Sequence, residues 1–255
     1  MPTINPLGVQ LYTLRDVPTD ERPTVFKALA DAGYGAVEPF NNKAESPQRL
    51  RAELDAAGLV VSSIHNRPAE DFDGAVATAR SLGTDTIIVP SGDRRMWSDE
   101  AGVRQFARDM GEVAARLADE GIRLGYHNHE FEFADLGGRC ALEVFADALP
   151  PEVVLEVDTY WAAVGGQDVP ALLQRLGDRV RFLHLKDGPA TDTAAPMTAV
   201  GAGVLPFADI VAACPSAEWH LVELDRCATD VLRAVLDSAE WLIGQGLARR
   251  ADEAA

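Results

Sequence analysis

The chain has 255 residues, apolar and charged fractions of 47% and 25%, and a formal charge of −17. That charge repels phosphate, and basic residues cluster only in short pairs such as Arg94-Arg95, so nucleic acid and anionic membrane are excluded as partners. No apolar run approaches the ~20 residues of a membrane span, Met1–Leu14 does not read as a leader, and Cys140, Cys214 and Cys227 are too scattered for a disulfide framework or zinc finger; a cytoplasmic protein with reduced thiols is expected.

Short β-rich runs alternate with helical patterns. The predicted strands are Leu7–Leu11, Ala36–Phe40, Val60–His65, Thr86–Val89, Arg123–His127, Val153–Val157, Val180–Leu185 and His220–Leu224. Most stay free of charge until their last residues, as strands buried on both faces do. Between them, Val25, Leu29 and Ala32 share one side of a helix stopped by Gly33. Ser46 and Pro47 open the next as N-cap and first helical residue. A long amphipathic run ends at Gly121, Asp168 caps another helix, and 228–247 supplies the last. The tail, 248–255, reads as frayed.

Eight such alternations predict a single-domain (β/α)8 TIM barrel over residues 1–255. The competing doubly wound sheet lacks its G-x-G-x-x-G after a strand. "VGAGVLPF" follows a loop and is a weak phosphate cradle.

Barrel active sites form at the C-terminal strand ends. Here those ends carry Gln10 and Tyr12; Glu38; His65 and Asn66; Ser91 and Asp93; His127, Asn128 and His129; Glu156 and Asp158; His184, Lys186 and Asp187; Glu223 and Asp225. Four of the five histidines are in this set, and His220 stands apart. Strand periodicity puts His127 with His129, His184 with Lys186, and Glu223 with Asp225 on common faces. Taken singly, each residue has an ordinary explanation. A histidine can be a hydrogen-bonded core residue, Asp158 or Asp187 a helix N-cap, Lys186-Asp187 a rim ion pair, and Trp161 wall or core. Taken together, carboxylates and neutral imidazole suit one divalent cation: Mn²⁺, Mg²⁺ or Co²⁺, or else Zn²⁺.

"YHNHEFEF", "LEVDTYW", "FLHLKDG" and "LVELD", in this order, resemble the xylose isomerase-like sugar phosphate isomerase/epimerase superfamily, in its Y-H-N-H-x-F-E-F branch. The resemblance runs over nearly the whole chain and implies a TIM barrel with one divalent metal. By motif it implies Asp158, His184 and Glu223 as ligands. It implies Glu132 as the fourth, with His127 the rival. Glu223 and Glu132 would flank a keto sugar and move a proton next to its carbonyl, with His127 and Lys186 as catalytic partners. His65, Glu38, Asn128, His129, Trp161, Gln10 and Tyr12 would bind substrate, and Trp97, Phe40 and Tyr126 are further candidate aromatic walls. The same site suits a dehydratase of a keto-inositol or an eliminase of a 3-keto-glycoside. A non-catalytic sugar-binding barrel is the reading from another class. Apurinic endonucleases share the barrel but need more histidines and a DNA-binding face. Relatives often carry an acidic residue where the glycine loop has Ala202, so specificity here is expected to differ. Homo-oligomers are common in the superfamily and are left open.

Overall fold

The computed structural model describes residues 5–41 and 46–251. Nine parallel strands follow one another around a nearly closed barrel: β1 (Leu7–Gln10), β2 (Ala36–Glu38), β3 (Val60–Val61), β4 (Ile64–His65), β5 (Thr86–Val89), β6 (Arg123–His127), β7 (Val154–Asp158), β8 (Val180–Leu185) and β9 (Trp219–Val222). β3 and β4 are two halves of the single third strand predicted over Val60–His65. Ser62 and Ser63 interrupt it, turning their hydroxyls to the Val37 carbonyl and the Glu38 carboxylate. The first half pairs with β2 and the second with β5. The His65 amide donates to the Pro39 carbonyl at 2.8 Å and the Asn66 amide to Ile88 at 3.0 Å, which carries the ring across the break. The eightfold plan is therefore the observed one. Leu11, Phe40 and Leu224 fall just beyond the strand ends.

The surrounding helices are α1 (Arg22–Ala32), α2 (Pro47–Ala57), α3 (Phe72–Leu82), α4 (Glu100–Asp119), α5 (Ala141–Ala148), α6 (Thr159–Val164), α7 (Val169–Leu176), α8 (Phe207–Ala213) and α9 (Val231–Gly244). The predicted caps are in place. Ser46 accepts from the Arg49 amide, Asp168 accepts from that of Ala171, and Gly33 ends α1 in the left-handed region at φ 107°.

Period-two alternation stacks the inward side chains in layers. The lowest layer is apolar: Ile88, Val154, Phe182 and Leu221 pack together. Gly8 and Gly125 make room for it; a Cβ on Gly125 would collide with Ile88, and one on Gly8 would lie 2.6 Å from Leu221. Two residues further along the same strands, the layer is ionisable or polar, with Gln10, Glu38, His127, Glu156, His184 and Glu223 all buried. Large apolar residues below thus close the barrel and form the floor of a site above.

The N-terminal end of the barrel ties down the first and last described residues. The Arg249 amide donates to Asn5 and that of Ala251 to Gly33, and Ala248 is buried. The first four residues of the tail predicted to fray are thus held, and 252–255 lie outside the described residues. His220 joins in, its Nδ1 3.1 Å from the Leu247 carbonyl and its Nε2 3.2 Å from the Asn5 amide nitrogen. No described helix is long and apolar enough to cross a membrane.

Candidate metal centre and active-site cavity

At the C-terminal strand ends, one ligand atom each from His127, Asp158, His184 and Glu223 lie within 4.8 Å of one another. Strand parity explains the convergence: Glu156 and Asp158 on β7, His184 at the end of β8 and Glu223 just past β9 all point inward. Asp158 divides its carboxylate. Oδ1 caps α6 by accepting from the Trp161 amide at 2.9 Å, while Oδ2 faces the cluster 3.8 Å from His127 Nε2. The helix-cap and cluster roles weighed for Asp158 therefore coexist, one on each oxygen.

Lys186 puts its ammonium 2.8 Å from Asp158 Oδ2 and 2.7 Å from Glu223 Oε2, and donates a hydrogen bond to Asp225. Burial opposes its charge, but Asp158, Asp225 and Glu223 raise its pKa well above the ordinary value. Burial likewise opposes the Glu223 carboxylate, which Lys186 and His184 nevertheless hold below the usual range. Burial pushes the Asp158 carboxyl up to about 6, against the pull of Lys186. Burial, with the positive neighbours His184 and His65, keeps His127 neutral, well below its usual value. Two carboxylates held around a positive charge, beside a neutral imidazole, are a donor set that fits a divalent cation.

Beneath this outer cluster lies an inner one. Glu156 Oε2 stands 2.7 Å from His65 Nε2, 3.0 Å from His127 Nδ1 and 3.1 Å from His184 Nε2. Glu38 Oε2 stands 2.8 Å from His184 Nε2 and also accepts from Gln10 Nε2 at 2.8 Å. Burial disfavours a charged His65, yet Glu38 and Glu156 raise it to about 10. Burial would raise the Glu38 carboxyl, but His65 and His184 bring it well below the usual range.

A cavity of about 470 Å³ opens above, lined by Tyr12, Phe40, His65, His127, His129, Glu223 and Asp225 among others. Of the substrate-binding candidates, Tyr12, His65 and His129 reach it. Gln10, Glu38, Asn128 and Trp161 do not: Gln10 and Glu38 are buried below, and Asn128 spends its amide on the backbone of Asp158. Trp161 packs against Lys186, whose ammonium is 5.3 Å from its ring centroid. Trp97 and Tyr126 belong to an aromatic core cluster with Phe106 and Phe145, leaving Phe40 and Tyr12 as the aromatic walls.

Glu132, expected as the fourth ligand, is placed apart from the cluster of convergent ligand atoms. The chain turns into a short 3₁₀ segment, Phe131–Phe133, which buries the carboxylate to accept from the Tyr126 hydroxyl at 2.7 Å and the His129 amide at 3.0 Å. Burial raises it to about 7. Glu132 braces the loop that carries His129, and His127 supplies the fourth converging atom. On the cavity wall, burial and the Lys186 charge bring His129 down to about 4, so its ring is neutral.

Arg67 was missed, although it directly follows His65-Asn66 at a strand end. It lines the cavity and donates to the carbonyl and hydroxyl of Ser91. The glycine loop does cradle an anion, but one of the chain's own. Asp187 accepts from the amides of Gly188, Gly201, Gly203 and Leu205, drawing the loop over its carboxylate.

The chain belongs to the xylose isomerase-like TIM barrel family, whose profile matches residues 26–220. It is 24% identical over 217 residues to an inosose dehydratase of Lacticaseibacillus casei, an alignment covering 72% of this chain and 70% of that one. It superposes on a sugar phosphate isomerase/epimerase of Parabacteroides distasonis with a TM-score of 0.79, at 24% identity and 94% coverage of both chains. The IolI protein with a bound zinc atom superposes with a TM-score of 0.72 at 14% identity, covering 95% of this chain and 98% of that one.

Proposed function

We propose that this protein is a divalent-metal-dependent enzyme that moves a proton at the carbon beside the carbonyl of a keto sugar or keto cyclitol, as an isomerase or epimerase. The observation that carries this reading is the convergence of His127, Asp158, His184 and Glu223 on the floor of a cavity that Glu223 itself lines. A bound divalent ion would polarise the substrate carbonyl and offset the charge that builds on its oxygen as the proton leaves. Glu223, held as a carboxylate by Lys186 and His184, takes the proton. His129, kept neutral and lining the same cavity, is a second proton acceptor, and the proton held by Glu223 is the one returned to carbon. Tyr12 and Phe40 offer apolar surface to the C–H face of a ring, and Arg67 and Asn66 offer donors to its hydroxyls. The likeness to a sugar phosphate isomerase/epimerase and to a zinc-binding barrel supports the same reading.

Dehydration is the second reading, and the burial of Glu132 against Tyr126, apart from the cluster, favours it. Without a second carboxylate opposite, Glu223 can take the α-proton and pass it to a hydroxyl departing on the same face, releasing water. The relatives named inosose dehydratase support this alternative.

The test begins with metal analysis of the native protein beside a Glu223→Gln, His184→Ala double variant. About one Mn, Mg, Co or Zn per chain, absent from the variant, is expected. Keto sugars and inososes are then incubated with the Mn²⁺-loaded protein in D₂O. Deuterium at the α-carbon with the carbon skeleton intact marks an isomerase or epimerase, and loss of water marks a dehydratase. A native protein that refuses every cation and exchanges no deuterium would be a sugar-binding barrel at most.

A further inference from the structure

Glu156 touches three imidazoles with a single oxygen: His65 at 2.7 Å, His127 at 3.0 Å and His184 at 3.1 Å. Its other oxygen, Oε1, is buried and accepts no hydrogen bond. Among the described residues no backbone group anchors this carboxylate, and its partners are the histidines. We infer that Glu156 is a positioning residue that selects which ring nitrogen of His127 faces the outer cluster. The inference rests on the cation-binding reading above.

The selection follows from what a carboxylate oxygen can do. It accepts, so the nitrogen facing it carries the hydrogen. On His127 that nitrogen is Nδ1, which leaves the lone pair on Nε2, the atom 3.8 Å from Asp158 Oδ2. His184 is held differently: its Nε2 lies closer to Glu38 Oε2, at 2.8 Å, than to Glu156 Oε2, and its Nδ1 faces Glu223 Oε2 at 2.8 Å, so Glu156 does not choose between its nitrogens. Glu38 also reaches His65, its Oε2 3.2 Å from His65 Nε2. The orientation of His127 depends on Glu156. Outer-sphere carboxylates of this kind fix tautomer and ring rotation, and their loss typically costs about 10–100-fold in metal affinity.

The experiment is titration of the full-length protein and its Glu156→Gln variant with Co²⁺ and Mn²⁺, followed by calorimetry and the visible Co²⁺ spectrum. The amide's NH₂ opposes ring N–H groups, so the expected result is binding weakened at least tenfold, with an altered Co²⁺ spectrum, in a variant whose circular dichroism is unchanged. Affinity within threefold of the native protein, with an unchanged spectrum, overturns the inference and leaves the cation reading standing. A native protein that binds neither metal overturns the cation reading itself. Should the variant fail to fold, ¹⁵N NMR of the imidazoles in the native protein loaded with Zn²⁺ decides: hydrogen on Nδ1 of His127 supports the assignment, and hydrogen on its Nε2 overturns it.

Discussion

Lys186 Nζ lies 2.7 Å from Glu223 Oε2 inside the barrel mouth, and both side chains are almost wholly buried. The ammonium holds together carboxylates that would otherwise repel one another, in the place where a divalent cation would do the same. Removing it leaves the charges of Asp158 and Glu223 uncompensated, and breaking a buried pair from one side costs roughly 3–5 kcal/mol. Lys186→Met is therefore expected to melt well below the native protein without metal, and to recover more of its melting temperature than the native protein does when Mn²⁺ is added. Thermal melts with and without Mn²⁺ check this; equal metal-induced shifts in the two proteins would count against it.

Glu132 and Glu223 separate by function. Glu132→Gln keeps the outer cluster but puts an amide where a carboxylate accepts from Tyr126 and the His129 amide. We expect it to bind Mn²⁺ within a few-fold of the native protein, with a stability loss of about 1–3 kcal/mol. Glu223→Gln is expected to lose the metal. Equilibrium dialysis paired with urea unfolding reads both quantities, and loss of metal in Glu132→Gln would restore Glu132 as a ligand.

His220 sets a pH dependence far from the cavity. Burial, only partly offset by the Leu247 carbonyl, brings it from 6.5 down to about 4 in the folded chain. The unfolded chain therefore takes up a proton that the folded one refuses as pH falls from about 6.5 to about 4. Its contribution is fully present above about 6.5 and is lost through that window, with a slope of about 1.4 kcal/mol per pH unit. His220→Asn, which keeps a donor towards Leu247, is expected to lack this slope. Denaturant unfolding of both proteins at a series of pH values gives the difference, and parallel profiles would refute it.

Gly203 has no room for a side chain. A Cβ there would collide with Asp187 Oδ1 and the Gly188 amide. Gly203→Ala is expected to break the Asp187 cradle, costing about 2 kcal/mol or more and opening 188–205 to protease. Limited proteolysis with mass spectrometry is the check; a resistant loop of native stability would contradict the cradle.

The barrel was legible because its signals are local. Strand runs alternate with capped helices, and within a strand period two dictates which residues share a face. Asp158, His184, Glu223 and His127 could thus be placed at one barrel end before any contact was known. Glu132 could not be placed in this way. It lies past the end of β6, where a 3₁₀ turn replaces the strand period and burial beside Tyr126 decides its direction.

Glu156 shows the remaining divide. Its parity with Asp158 is written in the sequence, and so is its inward direction. That one of its oxygens meets histidines from the third, fifth and seventh barrel strands is set by how far each strand is staggered when the sheet closes. The same holds for Asp187, whose four amide donors are up to 18 residues away in sequence. By itself the sequence determined the elements, the barrel and the end that carries the chemistry, because propensity and periodicity act over a few residues. Only the tertiary structure decided which nitrogen faces which oxygen, because those distances are fixed by the stagger of strands far apart in the chain.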